Sequence, residues 1–337
     1  MRKKIWFIIN PVSGGYSKKT VAAMINEFFG GGKYDLRICE TAYAGHGAVL
    51  ATMASENNVD TVVAIGGDGT INEVARSLVH TDTSLAIVPC GSGNGLARHL
   101  RIPLDFSEAM RLIKNGNVVS LDYGLVNNRP FFCTCGMGYD AAVSYKFSSS
   151  TKRGLKSYIE NTLVGLAKYK PEAYTVVDKK GRMTYKAFCI ALANASQYGN
   201  NAYIAPEASM TDGLMDVTVI EPFPLIEAGE MAYMLFTGKF KEGVKHIKTF
   251  RSDSLTIVRQ HPGVIHCDGD PMKAQSVIEV KIVPSGLKVI TNSDASAHIE
   301  PLIRTIGEQV MPLVAVPAAA LKLAGQTIVG LFKPKDN

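Results

Sequence analysis

The first ninety residues repeat one pattern three times: a short run of uninterrupted apolar residues, a loop of small residues, then a stretch with helical periodicity. The runs are IWFII (5–9), TVVAI (61–65) and SLAIVP (84–89). A strand with one face in water alternates apolar and polar side chains. A continuous run instead needs cover on both faces, the condition of a parallel sheet between two layers of helices. Helical stretches follow or separate the runs: SKKTVAAMINEFF (17–29), GHGAVLATMASENN (45–58) and TINEVARSLV (70–79). In the last, Ile71, Val74, Ala75, Leu78 and Val79 share a face, and Thr70 and Glu73 have the spacing of a capping box. Strand, loop and helix in this order predict βαβ units and a doubly wound α/β domain.

From about residue 123 the texture changes. LVNNRPFFCTCG, AYTVVDKKGRMTYKAFCIALANA, LMDVTVI, DSLTIVRQHPGVIHCDG and SVIEVKIVP read as strands joined by turns, with DKKGR (178–182) as a hairpin turn. Helices are expected over 153–169 and 224–236. The chain therefore divides into an α/β domain (1–122), a largely antiparallel β domain (123–290) and a return segment with an apolar tail (291–337).

The loops carry the chemistry. NPVSGG (10–15), GGDGT (66–70) and GSGNG (91–95) each follow an apolar strand and precede a helix. In an open α/β sheet such loops lie at one edge, where ligands bind. Exposed N–H groups at helix starts attract anions, and glycine lets phosphate oxygens approach the backbone. There is no GxxxxGK[ST], and GSGNG lacks the spacing of the dinucleotide fingerprint, which disfavours redox chemistry with a dinucleotide. Asp68 stands out, because a carboxylate among phosphate-binding amides repels phosphate unless a cation lies between. Mg²⁺ prefers oxygen ligands and bridges carboxylates to phosphates, so Asp68 is a candidate for ordering Mg²⁺ at a nucleotide. The alternative is a turn aspartate that bonds its own backbone.

NPVSGG, GGDGTINEV and GSGNGLAR, in this order, resemble the diacylglycerol kinase catalytic-domain family, and within it the soluble bacterial lipid kinases related to sphingosine and ceramide kinases. The resemblance covers about residues 3–290. It implies an N-terminal α/β domain of the NAD kinase and diacylglycerol kinase type, followed by a β-sandwich. It also implies an ATP-dependent kinase acting on a lipid hydroxyl. Nucleotide contacts then fall on Asn10, Pro11, Ser13, Gly14, Thr41, Gly66, Gly67, Asp68, Gly69, Thr70, Asn72 and Ser92. YIAPEASMTDGLMDVTVI (203–220) resembles the stretch that binds a structural Mg²⁺, through the carbonyls of Ser209 and Leu214 and the side chain of Asp212; a plain turn between strands is the alternative. HCDGDPM (266–272) resembles the segment holding the proton acceptor. That role falls to Asp270 with Asp268 supporting it, and the reverse assignment stays open. Two other function classes compete: a kinase with a soluble acceptor such as NAD, and a nucleotide- or lipid-binding regulator without activity.

Composition sets the outer limits. The net charge of +6 is too small an excess to argue for nucleic acid, and suits anionic ligands or an anionic membrane surface. Six cysteines form no CxxC pair and read as reduced thiols, which points to the cytoplasm. The basic start MRKKIWFIIN stops its apolar run too early for a signal peptide. In the tail, Met311–Phe332 carries one charge, Lys322, but prolines and glycines interrupt it. One or two short helices that pack on the protein or lie in the membrane interface are expected there. The lipid acceptor implies peripheral contact with the inner face of the membrane, and a homodimer is a further partner expected from the family.

Overall fold

The computed structural model describes residues 2–13, 18–148, 165, 166 and 168–292. Gly14, most of the helix expected over 153–169 and the tail beyond 292 lie outside these residues. Strands β1 (Lys3–Ile9), β2 (Tyr34–Glu40), β3 (Thr61–Gly66) and β4 (Ser84–Pro89) pair in parallel in the order β2-β1-β3-β4. The continuous apolar runs are buried on both faces, as their composition requires. Trp6, Ile8, Val62, Ala64, Leu85 and Ile87 face helices α2 (His46–Glu56) and α3 (Asp68–Leu78). Ile5, Phe7, Ile9, Val63, Ile65, Ala86 and Val88 face α1 (Lys18–Phe29) and α5 (Phe106–Asn115). Between α3 and α5 lies the single-turn helix α4 (Gly95–His99).

Two local readings are corrected. Thr70 and Glu73 do not form a capping box, because α3 starts at Asp68 behind an extended Gly67. Glu73 instead reaches across to α2 and accepts from the N–H groups of Gly45 (2.8 Å) and Gly47 (3.1 Å), so it caps the neighbouring helix. Helix α5 was not expected. Its cap is Asp105, whose carboxylate accepts from the Glu108 N–H at 3.0 Å.

The second half is the expected sandwich. One sheet orders as β12 (Ile247–Ser252), β11 (Met215–Ile220), β10 (Cys189–Ala193), β7 (Thr134–Gly138), β14 (Gly263–Cys267) and β15 (Asp270–Ala274), antiparallel throughout. Its inner face packs on β8 (Glu172–Asp178), β9 (Gly181–Ala187), β13 (Ser254–Arg259) and β16 (Val277–Thr291), through residues such as Cys135, Met137, Ile190, Val217, Ile257 and Ile278. Its outer face is covered by α6 (Tyr139–Ser148) and α7 (Ala228–Thr237). The hairpin over 178–182 forms as read, with Asp178 accepting from Lys180 and Gly181 N–H.

No sheet boundary separates the lobes. β5 (Asn117–Val126) runs through residues 122 and 123 without a break, followed by the short β6 (Arg129–Phe131). β16 pairs with β5 along both, with a register shift between Val283 and Leu287, and touches β4 at Val289. The return to the α/β lobe is therefore made by Leu287–Thr291, ahead of the tail. This shared pair of strands joins the two lobes. All six cysteines are free thiols.

Candidate active site

Because β1 to β4 are parallel, the loops that follow them share one edge. Winding reverses between β1 and β3, the position where open α/β sheets bind ligands. The 10–13 and 66–70 loops flank it, and Asn10 joins them. Its Nδ2 donates to Thr70 Oγ1 (2.9 Å), while its Oδ1 accepts from Val12 N–H (3.0 Å) and its own N–H donates to the Ile65 carbonyl (3.0 Å). Ser13 N–H closes the turn on the Asn10 carbonyl, and Pro11 is exposed on its outside. Thr41 N–H bonds the Ile9 carbonyl (2.9 Å), which brings Thr41 to the same edge.

Asp68 opens α3 and links two of the glycine loops. Its Oδ2 accepts from Asn94 N–H (2.8 Å) and its Oδ1 from Gly95 N–H (2.7 Å), the first amides of α4. The glycines around it answer to close packing. A Cβ on Gly91 would lie 2.7 Å from Gly67 Cα, one on Gly66 2.7 Å from the Thr70 hydroxyl, and one on Gly93 2.8 Å from Asp68 Oδ2. Gly69 alone of this group faces open space, as the exposed Ser92 does on the next loop. Asn72 is buried one turn along α3. The first-turn N–H groups at 68–70 have no intrahelical acceptor, and each Asp68 oxygen keeps lone-pair capacity beyond its one amide. A phosphate group accompanied by a divalent ion would find amide donors at 68–70 and a carboxylate ligand in Asp68 here.

The GSGNG loop is gripped from the other side by the β lobe. The Gly93 carbonyl accepts from Asn200 N–H (3.1 Å) and from Arg98 Nε (3.0 Å), and Gly199 packs against Gly93. His99, wholly buried, accepts from Ser196 N–H at Nδ1 (3.1 Å). Burial, aided by the charge of Arg101, lowers its pKa to about 4. Since the folded protein holds His99 neutral, the unfolded chain binds the extra proton between pH 6.5 and 4. Stability should fall through that window as pH falls, by up to ~3 kcal/mol from this group. Urea unfolding at pH 7, 5.5 and 4.5 of wild type and His99→Gln checks it. The wild type should lose more than the variant, and parallel losses would refute the assignment.

The DGD hairpin completes the site. Asp268 (φ 52°) and Gly269 (φ 86°) form a two-residue turn between β14 and β15, and the second positive φ explains the glycine. Asp268 is not placed as a supporting base. Its carboxylate accepts three backbone N–H groups, from Phe132 (2.9 Å), Cys133 (2.7 Å) and Thr134 (3.0 Å). Burial pushes its carboxyl above the usual aspartate range, against the downward pull of those amides and of Arg76. Asp270 is half exposed, with its Oδ2 3.5 Å from Arg76 Nη2 and 3.6 Å from Arg129 Nη2. Cys133, whose N–H bonds Asp268, is buried. Burial chiefly raises its thiol pKa, and the charges of Asp268 and Asp68 both add to that.

Below the hairpin lies a triad around the buried His266 that the sequence reading left without a role. His266 Nδ1 accepts from Gly269 N–H (3.3 Å), which leaves Nε2 to donate to Asp140 Oδ2 (3.2 Å), and Tyr198 donates to that same oxygen (3.1 Å). A Cβ on Gly136 would fall 2.0 Å from Asp140 Oδ2, so glycine makes room for the contact. Arg76 and Arg129 were also not singled out.

The sequence profile of the diacylglycerol kinase catalytic domain matches residues 4–126, and that of the YegS C-terminal NAD kinase beta sandwich-like domain matches residues 133–291. The chain belongs to the diacylglycerol kinase catalytic-domain family. Curated relatives include a protein named "Probable lipid kinase YegS-like" from Klebsiella pneumoniae (strain 342). It is 27% identical over 259 residues, covering 75% of this chain and 85% of that one. A second, "Probable lipid kinase YegS" from Escherichia fergusonii, is 27% identical over 251 residues, covering 72% and 82%. Among solved structures, a diacylglycerol kinase from Bacillus anthracis str. Sterne superposes with a TM-score of 0.68 at 20% identity, covering 87% of this chain and 98% of that one. An NAD kinase from Archaeoglobus fulgidus, solved with ATP, superposes at 0.51 and 13% identity, covering 90% and 100%. These two likenesses show the fold.

Against the family's structural-magnesium stretch, the 209–214 turn differs in this member. Asp212 Oδ1 accepts from Leu214 N–H (3.1 Å), and its Oδ2 lies 3.9 Å from the Arg251 guanidinium, which also bonds Asp216 Oδ1 (3.0 Å). Ser209 Oγ accepts from Thr211 N–H, and Gly213 N–H donates to the buried Asp122 (2.7 Å). A guanidinium is therefore the cation beside Asp212. Among the described residues no three acidic, histidine or cysteine side chains converge as metal ligands. Arg251 therefore offsets part of the charge that Asp212 would offer a divalent ion held with the carbonyls of Ser209 and Leu214.

Proposed function

We propose that this kinase transfers the γ-phosphate of ATP to a hydroxyl of a membrane lipid, of the diacylglycerol or sphingoid kind. The observation that carries the reading is the approach of the DGD hairpin to α3, the helix that the GGDGT loop opens: Asp270 Oδ2 lies 3.5 Å from Arg76 Nη2. The nucleotide's phosphates lie against the 10–13, 66–70 and 91–95 loops. Magnesium carried with the nucleotide would sit between Asp68 and the phosphates and offset their charge. The acceptor hydroxyl enters from the β lobe and gives its proton to Asp270. Phosphoryl transfer has a loose transition state, so the proton moves late and positioning supplies most of the acceleration.

A lipid acceptor requires approach to a bilayer, and the kinase is proposed to work at the inner face of the membrane. Leu225 and Ile226 protrude from the one-turn helix ahead of α7, at 43% and 75% exposure, where Lys245 pairs with the adjoining Glu227. Exposed apolar tips of this kind suit insertion at a bilayer interface. Among the described residues no helix is long and apolar enough to cross a membrane. The test is incubation with labelled ATP and magnesium over vesicles of phosphatidylcholine doped with one candidate lipid at a time, with NAD as a soluble acceptor in a parallel arm. Label in a lipid and co-sedimentation of the protein with anionic vesicles are expected. Label in NAD alone would replace the reading with that of a soluble-acceptor kinase.

A further inference from the structure

Two arginines from different lobes converge on the acid assigned as base. Arg76 comes from the last turn of α3, two turns after Asp68, and Arg129 opens β6 after the tight Asn127–Asn128 turn. Both Nη2 atoms approach a single oxygen, Asp270 Oδ2, at 3.5 and 3.6 Å. Charge-assisted N–H···O bonds run at about 2.7–2.9 Å, so neither arginine has closed a hydrogen bond on it. Arg76 Nε and Nη2 are also shut off from solvent with no acceptor. Guanidinium N–H groups shut off from solvent without a hydrogen-bond acceptor are costly, and here they call for a ligand that supplies one. Asp268 also attracts Arg76, but both of its oxygens are taken up by the amides at 132–134. A planar carboxylate offering one oxygen cannot satisfy two guanidinium forks, whereas a tetrahedral oxyanion with three terminal oxygens can bridge both.

We propose that Arg76 and Arg129 form the seat for the phosphate group on the acceptor side of the reaction. This rests on the kinase reading for its place in turnover. The bond from the β–γ bridging oxygen to the γ-phosphorus breaks and leaves with ADP, and the acceptor oxygen bonds to the same phosphorus. The hydroxyl proton passes to Asp270. The two guanidiniums take up the terminal oxygens of the transferred group and hold the resulting phosphomonoester. Asp270 then has two jobs: it accepts the proton, and before the phosphate arrives it occupies the edge of the seat.

The seat can be read without turnover. Inorganic phosphate is titrated by ³¹P NMR into the whole chain with excess ADP and magnesium present to fill the glycine loops. Arg76→Gln and Arg129→Gln should each weaken phosphate binding at least tenfold, Arg129→Lys should restore part of it, and Asp270→Asn should strengthen it severalfold by removing the competing carboxylate. A simple structural ion pair predicts no such strengthening. In the lipid assay the two glutamine variants should lose about 10²-fold in kcat, with ATP affinity within twofold of wild type. Phosphate binding indifferent to both arginines, or weakened by Asp270→Asn, overturns the seat. If Arg76→Gln does not fold, Arg129→Gln, at a part-exposed turn, decides alone. A wild type that labels no acceptor sinks the lipid kinase reading only, since the phosphate titration still decides the seat.

Discussion

Asp270→Asn should cut turnover by about 10²–10⁴-fold, the range expected when a positioned general base is removed, while ATP binding and fold survive. The asparagine is nearly the same size and keeps one oxygen, but it cannot hold the proton of the acceptor hydroxyl. Because Asp270 is about half exposed at the start of an edge strand, its removal breaks only two long, partly solvated ion pairs. Such pairs are worth roughly 0–1 kcal/mol, so the unfolding midpoint should barely move. Steady-state rates at saturating ATP and lipid, with ATP affinity by calorimetry, separate the two effects. A variant within threefold of the wild-type rate would move the base to another group. An equal loss of ATP binding would mean that residue 270 shapes the nucleotide site rather than the chemistry.

The α/β lobe was legible because its signals are local and strong. A run such as TVVAI has one stable home, a strand covered on both faces, and every residue of β3 is buried. The glycine loops were legible as a group, because three of them after three such strands must share an edge. Their reason was only partly legible. Gly66, Gly67, Gly91 and Gly93 are small because loops and side chains pack against one another there, and Gly69 alone opens to space. Glu73 shows the limit of local pattern. Its spacing from Thr70 fits a capping box, yet its carboxylate serves the helix that precedes it in the chain. The partnerships that finish the site span 141 positions for Arg129 with Asp270 and 194 for Arg76 with Asp270. No periodicity or spacing in a single chain announces them. His266 could have been found only by asking what holds the DGD turn, since its role is to accept the Gly269 amide. At 209–214 the motif was legible, but the cation was not, because Arg251 arrives from β12.

Asp268 should behave as the mirror image of its neighbour two residues on. Asp268→Ala should unfold the protein far more easily, by about 3–5 kcal/mol, because three backbone amides at 132–134 lose their only charged acceptor and leaving each unmet costs about 1–3 kcal/mol before relaxation. Water entering the gap lowers the total below the simple sum. Asp268→Asn tests the mechanism more sharply. Its single oxygen can still serve Cys133 and Thr134, but its NH₂ group then faces the Phe132 N–H, donor against donor. It should cost less than alanine and more than Asp270→Asn. Those amides lead into β7, the strand that pairs with β10 and β14, so their loss loosens the sheet that carries Asp270. Urea unfolding of the variants orders them by stability, and rates per folded molecule at low temperature report the chemistry. If Asp268→Ala kept wild-type stability and lost turnover as steeply as Asp270→Asn, the three amides would not be its function, and the acid–base roles of the hairpin would have to be exchanged.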